Sequence, residues 1–336
     1  MQLFDTLTEL TLIDGQALTA AGTDLAMLFA DIATGYPATV SVDSQAVMAN
    51  GQAIVPSAAP ILDADFDDVN LHNLLLLEKA AEWLPDIDLK DHGLVITAPL
   101  TLTSDQLQML GLDNASVTIQ ASELSAAMTQ WQTALQQHPQ IVQWYWLSID
   151  SRCHSEWLQQ YGQQVFSVLD QPEGRIPGEA MVLSHWQRHS SAGCKVSFAA
   201  AQKNPEEDPG AGIRTALLTA ADNDIQQHQP AWAEYLSNDD LSRATAAELY
   251  HTYTGLWPAF EPDHNRGPGE PFLSIYRTLG DIGMASLPLG LLLARQRLRT
   301  LMQPLTGVGI LINDGHNRHY WRLTDNTSDT RKMTHV

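Results

Sequence analysis

"EGRIPGEAMVL", residues 173–183, joins a turn to an apolar strand. Two glycines and one proline lie within its first six residues, a composition that is typical of turns. The apolar residues that follow predict a strand over 179–186. The upstream segment "IVQWYWLSID", residues 141–150, is a near-continuous apolar run, as in a strand of a sheet that is covered on both faces. A helix around residues 155–165 is predicted between these two strands.

Strands and helices also alternate through the rest of the first half. Apolar residues over 25–32 recur at helical spacing, between Thr23 as predicted N-cap and Gly35 as predicted stop. The helix predicted over 71–84 is expected to be buried on more than one side, whereas the helix that follows Ser122 has a single apolar face. These patterns predict helices packed against a buried sheet.

The second half repeats this style. It contains a predicted strand over 194–200, helices over 211–221 and 244–257, and a terminal hairpin around the turn "DGHN", residues 314–317. We therefore predict an α/β protein with mostly parallel strands and two pseudo-duplicated halves. The predicted boundaries are an N-terminal half over 1–188, a C-terminal half over 194–325 and a flexible tail over 326–336.

Charge and composition exclude several classes of function. The 336 residues include 18 basic and 39 acidic side chains, for a net charge of −21, so we expect neither nucleic acid nor an anionic membrane as partner. No apolar run is long enough to span a bilayer, and no signal peptide is evident at the N-terminus. With two cysteines and 44% hydrophobic residues, the sequence predicts a soluble, acidic, cytoplasmic protein with a large core.

Four segments in order resemble the β-ketoacyl synthases of the thiolase-like superfamily. They are "LTAAGTDLAMLFADIATGYPA" (18–38), "WLSIDS" (146–151), "EGRIPGEAMVL" (173–183) and "RTLGDIGMAS" (277–286). The third is the most specific, since it is similar to the family's "dGfvpGEGAgalvL". The resemblance implies a five-layer αβαβα architecture with a central active site. It also implies joining of an acyl group to a malonyl unit by a cysteine and two histidines.

The three positions that match this family site have diverged. In "VTIQASELSAAM", residues 117–128, Ser122 stands where the nucleophilic cysteine would be. A serine at a helix N-terminus needs a neighbouring base to react, and it is also a favoured N-cap. The histidine of the family's "GHT" segment is replaced by Asp281, which is predicted to cap a helix beginning near Ile282. His251 is the nearest candidate for the other histidine, but its segment "YHTYTG" is predicted to be helical.

Other reactive side chains are predicted to be structural. Cys153 and Cys194 lie away from the matching position and are expected to be buried apolar residues. His185 and His189 have helical ligand spacing but no second ligand pair, so no metal is expected. The acidic run around Asp63–Asp68 lacks the glycine and glutamate of a calcium loop. His316 and His319 flank the hairpin turn and are predicted to be exposed. The sequence contains no phosphate-binding loop, so no cofactor is predicted.

Two functions from different classes follow. The first is a catalytically inactive, β-ketoacyl synthase-like pseudoenzyme that acts as a binding adaptor or co-chaperone. Compact proteins of this kind are encoded among type VI secretion effector clusters, so the resemblance implies a secretion effector or its chaperone as partner. The alternative is an acyltransferase or condensing enzyme in which Ser122 carries the acyl group. An acyl-chain-binding or CoA-binding regulator without turnover is a third possibility, and a homodimer stays open.

Overall fold

The computed structural model describes residues 1–41, 47–49, 52–54, 57–62, 68–85, 87–157, 176–203, 205, 209–228, 234–237, 272–299 and 307–325. The helices in this part of the chain are α1 (Leu25–Thr34), α2 (Val69–Trp83), α3 (Ser104–Met109), α4 (Leu124–Gln137), α5 (Pro209–His228), α6 (Ile275–Leu279) and α7 (Ser286–Arg299). Short 3₁₀ helices cover Asp5–Glu9 and Gly283–Ala285.

The strands follow the predicted alternation. Those of the described residues are β1 (Gln2–Leu3), β2 (Leu10–Thr19), β3 (Val40–Ser41), β4 (Val47–Ala49), β5 (Gln52–Ile54), β6 (Ser57–Ala58), β7 (Gly93–Thr97), β8 (Val117–Ala121), β9 (Gln143–Ser151), β10 (Glu179–Arg188), β11 (Cys194–Lys203), β12 (Glu234–Ser237), β13 (Phe272–Ser274), β14 (Val308–Asn313) and β15 (Asn317–Asp325). The segment 244–257, predicted to be helical, lies outside the described residues.

The large sheet contains the same strand arrangement twice. Its order is β13-β12-β14-β15-β11-β2-β10-β9-β7-β8, with β1 added beside β11. We call the set β2, β7, β8, β9 and β10 the first unit, and the set β11 to β15 the second unit. Numbered along the chain within each unit, both sets of five strands have the order 3-2-4-5-1. In both units the fifth strand is antiparallel to its two neighbours, while the other pairs are parallel. The sheet is therefore mixed rather than mostly parallel, and its topology shows the duplication.

Helices lie between the strands of the two units and on both outer faces, which gives five layers. α7 contacts β2 and β10 of the first unit as well as β14 and β15 of the second, so it lies between them. α4 packs on β7 and β8, and its buried side chains belong to the same core as those of α7. On the outer faces, α2 packs on β9 and α5 packs on β11 and β15. The layer order is helix, sheet, helix, sheet, helix, as the resemblance implies.

Tryptophans fill the central layer. Trp131 of α4 lies with its ring centroid 5.8 Å from those of Trp146 and Trp186, on β9 and β10. Trp321 of β15 lies 6.3 Å from both Trp146 and Trp186. All four side chains are fully buried. Because aromatic pairs in such edge and tilted arrangements add to the free energy of area burial, this cluster holds α4 and both units together.

The turn that precedes β10 is a meeting point of both units. Its described residues, 176–179, exchange backbone hydrogen bonds with Ala59, Arg152 and Asp281. Gly178 is required there, since a Cβ atom would lie 1.9 Å from the carbonyl oxygen of Leu279. We refer to residues 150–152, 176–179 and 281–284 as the junction.

Candidate functional site

The turn between β8 and α4 is where the resemblance places the nucleophile. β8 ends at Ala121 and α4 begins at Leu124, so Ser122 lies in the connection with an exposed side chain. The N-cap of α4 is Glu123, so the prediction that Ser122 is the cap is wrong by one residue. Glu123 makes no side-chain capping hydrogen bond. The first amide groups of α4 therefore have no side-chain cap at Glu123.

A histidine lies at the α4 N-terminus, and it comes from β15. The Nε2 atom of His319 is 3.2 Å from the hydroxyl oxygen of Ser125, which follows Ser122 by about one helical turn. The same Nε2 atom is 2.9 Å from Oδ2 of Asp314, in the turn between β14 and β15. Fold topology thus assembles a serine, a histidine and an aspartate at the N-terminus of α4.

The prediction that His319 is exposed is wrong, because its side chain is fully buried. His316 is exposed as predicted. Side chains alternate between the two faces of a strand, so His319 shares a face with Trp321 and Leu323. Both of those residues lie in the central core. This alternation was present in the sequence and could have identified His319 as a buried residue.

The proton on Nε2 decides what this group can do. Burial alone would raise the pKa of Asp314, but hydrogen bonds from His319 and from the backbone amides of His316 and Asn317 outweigh it and hold that pKa below its ordinary value. Asp314 is therefore an ionised acceptor, and Nε2 must donate to it. Nε2 cannot take a proton from Ser125 at the same time. The arrangement links the hairpin turn to α4, and Nε2 does not serve as a general base for Ser125.

Asp281 lies at the start of a short turn. Its Oδ1 atom accepts a hydrogen bond from the Gly283 amide at 2.9 Å, at the start of the 3₁₀ helix, whereas α7 begins at Ser286. The N-cap of this 3₁₀ helix is Ile282, so the prediction that Asp281 is the cap is wrong by one residue, although its carboxylate bonds the first amide of the turn. Oδ1 also lies 4.0 Å from Nε of Arg152. The carboxylate is thus held within the junction.

A second carboxylate, Asp150, is fully buried in the junction. Its Oδ2 atom accepts a hydrogen bond from the Met284 amide at 2.8 Å and lies 3.3 Å from Nη2 of Arg152. Burial is the main cause that raises the pKa of Asp150 to about 6, while Arg152 and the Met284 amide oppose the rise. Oδ1 has no hydrogen-bond partner among the described residues. Arg152 is thus close to carboxylates from both units of the fold.

The glutamate of the "PGE" turn has all its acceptors in use. Glu179 is fully buried and accepts hydrogen bonds from Ser151 at 2.6 Å and from the amides of Ile61 and Leu62 at 2.7 and 3.1 Å. Nε2 of His72, on α2, completes the set. Burial favours a higher pKa, but the contacts with His72 and Ser151 lower the pKa of Glu179 overall. This network is structural, since no exposed group takes part.

The cysteines match their prediction. Cys153 and Cys194 are free and fully buried, and burial raises the pKa of both thiols, that of Cys194 to about 11. Neither can act as a thiolate nucleophile near neutral pH. The candidate base His251 and the loop residues 63–67 lie outside the described residues.

His185 and His189 contact different partners. His185 stacks on Tyr145 with ring centroids 4.8 Å apart and lies 3.4 Å from Asp14, while His189 contacts Glu9. No group of side chains in the described part of the chain could hold a metal ion. None of the described helices is both long enough and apolar enough to cross a bilayer.

Solved structures identify the fold. No family model matches this sequence, and no curated protein matches it. The oxazolomycin ketosynthase domain OzmH KS7 of Streptomyces albus JA3453 is similar with a TM-score of 0.62 at 12% identity, over 94% of this chain and 75% of that one. The chain has the thiolase-like ketosynthase fold.

Two further ketosynthases support this assignment. The ishigamide ketosynthase/chain length factor has a TM-score of 0.57 at 12% identity, over 94% of this chain and 99% of that one. The ketosynthase from module 6 of the bacillaene synthase of Bacillus subtilis 168 has a TM-score of 0.58 at 9% identity, over 94% of this chain and 72% of that one. At such identities the likeness shows the fold and leaves the chemistry to be argued from the site.

Proposed function

We propose that this chain is a ketosynthase-like binding protein that has lost condensing chemistry. The observation that carries the proposal is the contact between His319 and Asp314, because it occupies the Nε2 atom nearest to Ser125. Ser122 itself is exposed, and Asp281 replaces a donor with an acceptor. A condensing site needs an activated nucleophile and donors for the developing negative charge.

The proposed role is that of an adaptor or co-chaperone for a secretion effector. It is supported by the resemblance to compact proteins encoded with type VI secretion effectors, and by a fold kept intact around an altered site. A binding role needs a stable surface and makes no demand on the three matching positions. Purification from the native source without any stoichiometric protein partner would contradict this role.

An acyl-carrying function remains the second candidate, because one observation favours it. Ser122 is exposed beside the N-terminus of α4, whose N-cap Glu123 makes no side-chain hydrogen bond. Backbone amides in that position stabilise an oxyanion in acyl-transfer enzymes. The same amides would serve a regulator that binds an acyl thioester without turning it over.

Intact-mass measurement after incubation with a panel of acyl-CoAs and acyl carrier proteins separates these functions. We expect no stable acyl adduct on the native protein, because no described base can activate either serine. Ser122→Ala and Ser125→Ala serve as a matched pair. An adduct that disappears in Ser122→Ala and persists in Ser125→Ala would overturn the proposal and establish an acyl-enzyme.

A further inference from the structure

Helix α2 has more apolar surface than the sheet beneath it can cover. Its inner face buries Leu76, Leu77 and Ala80 against β9 and the outer core of the first unit. Leu71, Leu74 and Leu75 point the other way, with exposed fractions of 48%, 47% and 39%. The sequence predicted burial on more than one side, and the structure shows burial on one.

The three leucines form one continuous stripe, which we call the leucine stripe. Residues spaced by three or four positions are neighbours on a helix surface, so Leu71 lies beside both Leu74 and Leu75. Scattered exposed leucines are ordinary, but a clustered set on a single helix is typical of an interaction surface. Spacing of this kind provides the anchors when two helices pack face to face.

Acidic side chains lie at both ends of the leucine stripe. Asp68, the exposed N-cap of α2, precedes it, and Glu156 accepts a hydrogen bond from the Val69 amide at 3.0 Å beside that cap. Glu78 and Glu82 continue the same face after the leucines and are exposed, and the exposed Lys79 between them lies 3.4 Å from the carboxylate of Glu82. Three further aspartates, Asp63, Asp65 and Asp67, precede Asp68 in the sequence.

The acidic residues around the leucine stripe favour a basic partner over a second copy of the chain or an anionic lipid surface. A second copy would bring another net charge of −21 and a second acidic rim against the first. An anionic lipid surface would be repelled for the same reason. A helix with an apolar stripe and basic flanks would satisfy both the leucines and the acidic rim.

We propose that the leucine stripe of α2 is the docking surface for a basic amphipathic helix of a partner protein. The inference rests on the proposed binding function and names the kind of partner segment it would engage. Apolar contact with Leu71, Leu74 and Leu75 provides most of the affinity, and Asp68, Glu78 and Glu82 orient the helix and accelerate its association.

The test uses three synthetic peptides of about five helical turns, each binding reaction being followed by fluorescence anisotropy. The first peptide has a leucine face and a lysine face, the second has glutamate in place of lysine, and the third is a scrambled form of the first. The protein variants are the triple substitution Leu71→Gln, Leu74→Gln, Leu75→Gln and the control Leu218→Gln. Leu218 is an exposed leucine on α5, at 43%, away from the stripe.

We expect the leucine–lysine peptide to bind the native protein and Leu218→Gln equally. The triple variant should bind it at least about tenfold more weakly, because three partly exposed leucines lose their contact. Raising the salt concentration from about 50 mM to about 500 mM should weaken binding several-fold, since the rim is exposed. Circular dichroism checks that the variants keep the native helical content.

Several outcomes would overturn the docking surface. Equal binding of the scrambled peptide would show that the apolar helix face is not recognised. Equal binding of the glutamate peptide would show that charge is not recognised. Equal binding of the leucine–lysine peptide by the triple variant would place the contact elsewhere. A native dimer in sedimentation that the triple variant dissociates would make a second copy the occupant. If the native protein binds phosphatidylcholine vesicles and the triple variant does not, the occupant of the leucine stripe is a lipid surface. The acyl-adduct measurement is independent, so failure here leaves the loss of condensing chemistry intact.

Discussion

The junction and the α4 N-terminus differ in how many buried contacts hold their residues in place. At the junction, a turn that resembles the ketosynthase pattern supplies Gly178 and Glu179, and both are fixed by buried contacts with distant segments. At the α4 N-terminus, Ser122 is exposed and the N-cap Glu123 makes no side-chain bond. The junction holds the two units of the fold together and tolerates little change. Ser122 and Glu123 are exposed, so these two residues can diverge while the fold persists.

The largest expected effect comes from Gly178→Ala at the junction. The added Cβ would lie 1.9 Å from the Leu279 carbonyl oxygen, which is backbone and cannot rotate away. The turn must shift, and the hydrogen bonds to Arg152 and Asp281 weaken with it. We expect the free energy of unfolding to fall by about 3 kcal/mol or more, measured by urea denaturation.

Gly111→Ala is the matched control for that change. Gly111 has a φ of +67° and nothing within 4 Å of an added Cβ, so the substitution carries backbone strain without overlap. Its cost should be about 1–2 kcal/mol. Equal losses for the two variants would show that the junction is not sterically tight.

An intermediate effect is expected from Asp150→Asn, and it depends on pH. The folded-state pKa of Asp150 is raised to about 6 from an ordinary value of 3.8, mainly by burial. A raised pKa contributes stability below the ordinary value, and that stability is lost as pH rises through about 6. The asparagine variant keeps an acceptor for the Met284 amide and has no charge to bury.

The measurement is the difference in unfolding free energy between the native protein and Asp150→Asn from pH 4 to pH 8. We expect this difference to move in favour of the variant by about 2–3 kcal/mol as pH rises, and to level off above pH 7. A difference that is constant over this range would mean that Asp150 stays ionised throughout. In that case Arg152 would outweigh the effect of burial.

The sequence predicted the architecture well, because periodicity and turn residues are local signals. The β14–β15 hairpin follows from Asp314-Gly315 between two apolar strands, and Gly35 ends α1 with a φ of 67° as predicted. The N-cap of α1 is Asp24 rather than Thr23, an error of one residue. Such boundaries depend on which of two neighbouring oxygen-bearing side chains reaches the helix amides, and both types are good caps.

The candidate site was harder to predict, because it depends on contacts between distant segments. His319 and Ser125 are 194 residues apart and meet only once β15 is placed beside the central layer. Asp281 was predicted as a cap, but its proximity to Arg152 requires both units of the fold. Consecutive leucines over 74–77 carry no periodicity, so the sequence could not show that Leu74 and Leu75 face outward.

The smallest expected effect comes from Ser122→Ala, and it sharpens the contrast between the two regions. Ser122 is exposed and precedes the N-cap, so its hydroxyl contributes no capping bond to α4. We expect the free energy of unfolding to change by less than about 0.5 kcal/mol in urea denaturation.

Ser125→Ala is the matched comparison, since its hydroxyl lies 3.2 Å from Nε2 of His319. It should cost about 1 kcal/mol, as for one partly buried hydrogen bond. A loss of more than about 1 kcal/mol in Ser122→Ala would mean that this serine supports the fold. The α4 N-terminus would then be as constrained as the junction.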